Sequence, residues 1–355
     1  MFNQWFGVSR KVYNATVDYY NNEDKDGINW MGIAGPILKS IDFDYVKRVP
    51  YQIKKMAVRD CYVSFKNGCS KAKRTGEPFE QKFRSRKDPH QSCFIPKSAL
   101  SDKGIYYTLS GNLKIKERWL LNNNVKDLRL VREYDRWYLV VPMEIGNTLL
   151  PVSENQGIGD VVALDPGIRT FITYFSENGA YGKIGSCFNE IMSIHTRLER
   201  MISLKDKSKD KKHKRRLYRS IGKLRLRLSD LIDELHWKTI NFLVRNFSVI
   251  ILPTFNTSEM VRKGKRKIRK RVVKAMQSYR FFEFSERLAQ KCLEYGVILI
   301  RSNESYTSKT NSFNGQLMNI GGRKGFMHDG VYVDRDINGA RNILLRAVRD
   351  NSANG

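Results

Sequence analysis

A chain of 355 residues with 41% apolar content is long enough for two or three domains and too apolar for disorder throughout. Its 64 Lys and Arg against 36 Asp and Glu leave a formal charge of +28, which points to a polyanionic partner and exceeds what solubility requires. No apolar run approaches the roughly 18 residues of a membrane span, no secretory pattern is present and the five cysteines form no Cys-x-x-Cys pair, so a soluble intracellular protein in a reducing compartment is expected.

In chain order, residues 1–75 read as helical. Trp5, Phe6, Val8, Val12 and Tyr13 recur at helical spacing. A second helix is predicted over 45–66 from Val46, Val49, Ile53, Met56, Ala57, Tyr62 and Phe65. A plain helical bundle would show the same pattern. Residues 76–156 change to short strands, predicted at 91–95, 106–109, 112–115, 125–131 and 136–143, with a hairpin turning at Tyr134-Asp135. Such strands suit a small barrel. Just before them, Lys82, Arg84, Arg86 and Lys87 alternate around Phe83, a pattern for phosphate contact and stacking that a solvated loop would share.

A linker at 154–160 leads to a strand at 161–165, then a hairpin of 170–176 and 180–184 around Glu177-Asn178-Gly179. An amphipathic helix is predicted over 188–204, and a longer one is striped by Leu217, Ile221, Leu224, Leu228, Leu231 and Leu235. Three strands followed by a long helical region open an RNase H-like fold. The basic stretch 205–216 between the helices is either a nucleic-acid contact or a solvated tip. After a strand at 247–252, the basic run 262–271 includes Lys265, Arg266 and Lys267 and suits a phosphate clamp, a nuclear import signal or both. A helix at 276–295, a strand at 297–301, a glycine-rich loop at 305–333 and a closing helix at 336–348 complete the chain.

Two carboxylates stand out. Asp165 ends an apolar strand, and Pro166-Gly167 turns the chain there, which places the acid at the sheet edge; a mere turn would look alike. Asp334 and Asp336 flank Arg335 before the last helix. One of them caps it and the other is left for metal; Asp336 is the better ligand candidate, because Gly339 and Ala340 let that helix approach the first strand. Such separated acids suit a two-metal phosphodiester-cleaving site, with ions about 4 Å apart. A third acid is needed. The strand 247–252 ends in Pro253-Thr254-Phe255 without one; Glu304, past the strand 297–301, is the nearest, with Glu259 and Glu283 as fallbacks.

Several segments, in order, resemble the transposon-associated TnpB nucleases, and more closely their eukaryotic and viral relatives, the Fanzor proteins. They run from Trp5 to Asn14, Phe83 to Asp88, Leu164 to Thr170, Leu252 to Val261, Tyr306 to Thr310 and Asp334 to Asn342. The resemblance implies an α/β multidomain protein: a helical recognition region (1–75), a wedge-like β-barrel (76–156) and a split RNase H-like RuvC core (157–306) with a basic helical insertion (188–246). A degenerate zinc-ribbon-like loop (307–333) and a final RuvC helix and tail (334–355) would follow. It implies an RNA-guided, Mg²⁺-dependent DNA endonuclease with one RuvC site, working as a monomeric ribonucleoprotein. Its partners would be a transposon-derived, omega-type guide RNA and target DNA with an adjacent motif, and no membrane. Location would be nuclear in a eukaryotic or viral host, otherwise cytoplasmic or at the nucleoid.

By motif position, Asp165, Glu304 and Asp336 would be the catalytic and metal residues for two Mg²⁺ ions; the usual glutamate position is Pro253, and Glu304 follows the displaced Fanzor pattern. Lys309 and Arg341 join Lys82, Arg84, Arg86, Lys87, Lys265, Arg266 and Lys267 as nucleic-acid candidates. The four zinc-ribbon cysteines have no counterparts between Thr310 and Asp334, so no structural zinc is expected. The family's first strand should precede Trp5, where four residues cannot supply it, so the barrel lacks a strand or the chain is shortened. Alternative readings are a nuclease-dead RNA-guided repressor, a guide-independent structure-specific RuvC-like nuclease and a basic RNA-packaging protein.

Overall fold

The computed structural model describes residues 1–22, 29–41, 44–111, 113, 125–142, 159–254, 260–261, 268–302, 309–318 and 323–352. Glu304, Glu259, Lys265, Arg266 and Lys267 lie outside the described residues, as do most of the strand expected at 112–115 and the linker 154–158. The chain divides into two compact units, Met1–Glu144 and Ile145–Gly355.

The first unit opens with helices α1 (Phe2–Asn22), α2 (Trp30–Ser40), α3 (Asp44–Lys47) and α4 (Tyr51–Thr75). The helix expected over 45–66 is split, because Pro50 lacks the N–H that a helix interior needs and instead precedes α4. Strands β1 (His90–Ile95), β2 (Leu100–Ser101) and β3 (Gly104–Ile105) follow, then α5 (Tyr107–Ser110), β4 (Leu128–Glu133) and β5 (Arg136–Val140). The strand expected at 106–109 is thus a short helix. Where a barrel was expected, the described residues form an antiparallel sheet in the order β1-β4-β5 and a separate β2-β3 ladder. Alternation along β1 and β4 turns Cys93, Ile95, Leu128 and Leu130 onto Trp5, Val12, Ile53 and Val58, in one core shared by helices and sheet.

The second unit is built on β6 (Val161–Pro166), β7 (Ile172–Ser176), β8 (Tyr181–Ile184), β9 (Val249–Pro253) and β10 (Ile298–Ser302), in the spatial order β10-β9-β6-β7-β8. β6, β7 and β8 are antiparallel; β9 runs parallel to β6 and β10 parallel to β9. Helices α6 (Phe188–Lys207) and α7 (Lys211–Asn246) stand between β8 and β9. Asp210 caps α7, its carboxylate accepting from the N–H groups of Lys212 and His213. Much of the basic stretch 205–216 is therefore helical.

One helix was expected over 276–295; two are found, α8 (Lys270–Tyr279) and α9 (Phe281–Tyr295), with Arg280 between them at φ 49°. In an unbroken helix residues two apart point to nearly opposite sides. The left-handed residue lets Tyr279 and Phe281 both reach the fully buried Phe171, at ring-centroid distances of 5.2 and 5.4 Å. The Arg280 guanidinium holds Asp233 at 2.8 Å and Glu283 at 3.1 Å, which fixes the break.

His236 on α7 is fully buried beside this break, stacked on Phe171. Its Nε2 lies 2.8 Å from the Tyr279 carbonyl, which only accepts, so Nε2 carries the proton of a neutral ring. Burial, with Arg287 and Arg280 nearby, pushes its pKa down to about 4. The unfolded chain therefore binds the proton more readily. The stability His236 confers is complete above its ordinary 6.5 and is lost as pH falls toward about 4. Urea unfolding at pH 7 and pH 5 is expected to show a drop of roughly 2 kcal/mol that His236→Gln lacks; equal drops in both proteins would rule the histidine out as the cause.

The loop expected at 305–333 contains a hairpin, β11 (Gly325–His328) and β12 (Val331–Asp334). Asp329 and Gly330 join them with φ 46° and 80°, the two left-handed residues of a type I′ turn. β12 runs directly into the last helix, α10 (Arg335–Ser352). Ile343, Leu344 and Ala347 of α10 pack on Ala163 and Ile251 of the sheet. No helix among the described residues is long and apolar enough to cross a membrane. All five cysteines are free thiols.

Candidate active site

Asp165 belongs to the central strand of the five-stranded sheet, not to its edge. Access comes from a fork. On one side the β6–β9 ladder ends at Ala163 paired with Ile251, while β9 continues with β10 through Pro253 and Ser302. On the other side Asp165 pairs with Thr173. The carboxylate therefore sits where two strands part, at their C-terminal ends. Strand alternation puts it on the face of Ala163, which α10 covers.

Helix α10 meets that carboxylate through Gly339. A Cβ built on Gly339 would lie 2.6 Å from Asp165 Oδ2, so only glycine allows this approach without displacement. Asp336 precedes Gly339 by three residues and so shares its side of the helix. Asp334 does the capping: its Oδ1 accepts the N–H groups of Asp336 at 2.9 Å and Ile337 at 3.3 Å. That leaves the Asp336 carboxylate, about one-third exposed, to face outward contacts.

One residue of the cluster, Lys183, carried no signal in the sequence. Thr173 pairs with Lys183 of β8, so Asp165, Thr173 and Lys183 form a row across three strands on one face. Lys183 Nζ lies 2.7 Å from Asp334 Oδ2 and 3.9 Å from Asp336 Oδ2. Burial raises the Asp334 pKa, but the Lys183 hydrogen bond and the two helix N–H groups outweigh it and hold the carboxyl below its ordinary range. Asp334→Ala is expected to cost about 1 kcal/mol from the lost cap. The wild-type contribution is present above the usual carboxylate pKa and fades as pH falls through the lowered one. Thermal melts of both proteins at neutral and acid pH check this: the gap should close in acid, and a gap that widens would contradict the assignment.

The remaining candidate residues separate. Pro253 lines a cleft of about 310 Å³ with Pro166, Phe282 and Arg301 at the same sheet end. Glu283 is bound to Arg280 and Arg287, which makes it part of the helix break. Lys309 is exposed. Arg341 bonds the Ser312 carbonyl at 3.1 Å and lies over the Phe313 ring at 4.2 Å, a structural tie. In the first unit Lys82, Arg86 and Lys87 are exposed in an irregular segment. Arg84 stacks on Tyr13 at 3.7 Å, and the Asn14 amide brackets its backbone, accepting at 2.8 Å and donating at 3.0 Å.

The segment 309–318 takes its shape from α10. Asn338, buried, accepts from Ser312 N–H at 2.9 Å and donates to the Thr310 carbonyl at 2.8 Å; Asn342 donates to the same carbonyl at 2.6 Å. Phe313 stacks on His328 at 4.8 Å. The stretch Asn338-Gly339-Ala340-Arg341-Asn342 thus has two sides: Gly339 and Ala340 admit the sheet, and the polar residues hold this segment.

Asp165 and Asp336 are hard oxygen donors suited to Mg²⁺, and Gly339 keeps room beside the first of them. Among the described residues no group of three His, Cys, Asp or Glu side chains stands ready for a metal ion. Two donors therefore fit, and the set needs another.

Residues 281–343 match the family model described as Cas12f1-like, TNB domain. The chain is 33% identical over 222 residues to putative transposase A625R of Paramecium bursaria Chlorella virus 1, covering 60% of this chain and 47% of that protein. It is 28% identical over 189 residues to TnpB-like protein L79 of Acanthamoeba polyphaga mimivirus, covering 51% and 36%. The matched region thus spans less than half the length of these viral relatives. In fold, the chain is similar to a chain of the cryo-EM structure of a Cas12f1–sgRNA–target DNA complex, with TM-score 0.52 and 14% identity over 96% of this chain and 81% of that one. It is a mixed α/β protein of that multidomain class. By sequence it is related to the TnpB-like proteins, as its motifs implied.

Proposed function

We propose that the chain is an RNA-guided DNA endonuclease that cuts at a single RuvC-type site. The observation that carries this reading is the packing of Gly339 against Asp165, one helical turn along α10 from Asp336. The strand order β10-β9-β6-β7-β8, with three antiparallel strands followed by two parallel ones, supports an RNase H-like core. Ser302 ends β10 at the same sheet end as Asp165, and Glu304 follows it by two residues in sequence, the basis for proposing it as the third acid. Asp165, Glu304 and Asp336 would hold two Mg²⁺ ions. Bound there, Mg²⁺ supplies a nucleophilic water at neutral pH and charge neutralisation on the leaving oxygen.

The chain's own residues have separate tasks. Asp334 caps α10 and, with Lys183, fixes where Asp336 stands. The +28 charge gathers nucleic acid, base pairing to a guide would carry sequence choice, and the protein would sense duplex shape and an adjacent motif. A guide RNA of omega type, the Fanzor affinity and nuclear entry through the run 262–271 belong to this proposal.

The test is to express the full chain with its native flanking locus, sequence the copurifying RNA, and challenge the complex with matched plasmid with and without Mg²⁺. A discrete structured RNA and Mg²⁺-dependent cutting of matched DNA are expected. Tight matched binding without cutting would instead make it a repressor. Bulk host RNA with no matched cutting would overturn the proposal.

A further inference from the structure

The first unit gathers arginines at one end of its sheet in a way that folding alone does not explain. Gln91, Arg132 and Trp137 pair in register across β1, β4 and β5, so their side chains form one row on one face. Asn3, Phe6 and Arg10 of α1 lie above it, spaced to share one side of the helix. Each meets the row: Arg132 donates to Asn3 Oδ1 at 2.6 Å, Phe6 stacks on Trp137 at 5.2 Å, and Arg10 donates to Gln91 Oε1 at 3.1 Å. Gln91 in turn donates to the carbonyls of Ser85 and Asp88, at 3.1 and 2.9 Å, which ties down the segment carrying Arg84 and Arg86.

A cavity of about 230 Å³ opens beside this row between Arg10, Arg84, Asp88, His90 and Gln91. That is room for roughly seven waters. Arg10 and Arg84 face it with one carboxylate, Asp88, and Arg84 already has Asp60 at 3.9 Å. Among the described residues Arg10 and Arg132 pair with no carboxylate, and the buried Arg132 Nε has no hydrogen-bond partner. Of the nearby acids, Asp88 accepts the His90 N–H, and Glu133 lies 3.8 Å from the His90 ring. Burial first, and then the charges of Arg86 and Arg132, push the Arg10 pKa down. Arg132 also lies 5.9 Å from the centroids of both Phe6 and Trp137, so aromatic faces position its fork.

We infer that Arg10 and Arg132, held by Gln91, Asn3 and the Phe6–Trp137 stack, form a built site for one phosphate group of a nucleic-acid strand. Guanidinium forks match phosphate oxygens, and an anion there offsets the repulsion between Arg10 and Arg132. The inference rests on the nucleic-acid-binding part of the proposed function and is independent of cleavage.

Binding tests it, with full-length protein freed of copurifying nucleic acid. Labelled single-stranded RNA and DNA of the same sequence are titrated across a salt series against wild type, Arg10→Gln, Arg132→Gln and Arg10→Lys. Arg10→Gln and Arg132→Gln should each weaken binding about five- to tenfold and reduce the slope of log affinity on log salt by about 0.7, the value for one single-strand phosphate. Arg10→Lys should restore part of the loss. Inorganic phosphate should raise the melting temperature of wild type above a chloride control at equal ionic strength, and Arg10→Gln should lose that increment. An effect on RNA, on DNA or on both supports the site and names its source. Unchanged affinity and slope for both strands in Arg10→Gln, or no phosphate increment in wild type, would overturn it. Should Arg132→Gln fail to fold by circular dichroism, Arg10→Gln decides alone.

Discussion

Asp165→Asn is expected to give a folded protein that binds nucleic acid and no longer cuts it. The substitution keeps the shape of the side chain where β6 and β9 part, so the ladder to Thr173 and the packing of Gly339 survive. What disappears is one negative charge from the oxygen donors proposed to hold divalent cations. Loss of such a donor should lower the cleavage rate by about a thousandfold or more, on the order of 4 kcal/mol of barrier. Cleavage of matched DNA in Mg²⁺ is the measurement, with melting temperature and binding as controls. Cutting within tenfold of wild type would remove Asp165 from the chemistry and with it the proposed site.

Gly339→Val separates stability from activity at a residue that binds nothing itself. The added carbon would stand 2.6 Å from Asp165 Oδ2, and the nearest atom that can yield is the carboxylate end of a side chain. The expected response is a turned Asp165 and a helix start pushed off the sheet, with cleavage reduced at least a hundredfold. Gly339→Ala is the milder case. Glycine inside a helix costs roughly 1 kcal/mol relative to alanine, so Ala should leave the melting temperature level or slightly raised while cleavage falls about tenfold or more. Equal activity in Gly339→Ala and wild type would show that the close approach is dispensable. A loss of fold in step with the loss of cutting would mark Gly339 as a packing residue only.

Much of this arrangement was legible in local chemistry. The apolar run that leads to Asp165 is a strand, and it closes at Pro166 just before Gly167. That an acid would cap the last helix followed from what a helix start demands, and small residues at 339 and 340 implied close packing. Lys183 was not legible. Its spacing of two from Tyr181 gives a face, but its meeting with Asp334 depends on how a hairpin end 151 residues later lies across the sheet. The break at Arg280 carried no Gly or Pro to announce it; the tertiary demand that Tyr279 and Phe281 share one aromatic cluster imposed it. The hairpin at β11–β12 had a signal that the expectation of a featureless loop passed over: Asp329-Gly330 is a strong two-residue turn. Glycine content suggested irregularity there, and the pairing of Phe326 with Val333 overrode it.

The absence of any linker between β12 and α10 has a mechanical result. Asp334 is at once the last residue of the hairpin and the cap of the helix, and the Arg335 N–H is anchored on the Lys324 carbonyl at 2.9 Å. Anything that pulls on the hairpin must therefore tilt the helix start and carry the Asp336 oxygens toward or away from Asp165. With the acids holding cations as proposed, any ligand that shifted the hairpin would be coupled to them, and by linkage each would strengthen or weaken the other by the same factor.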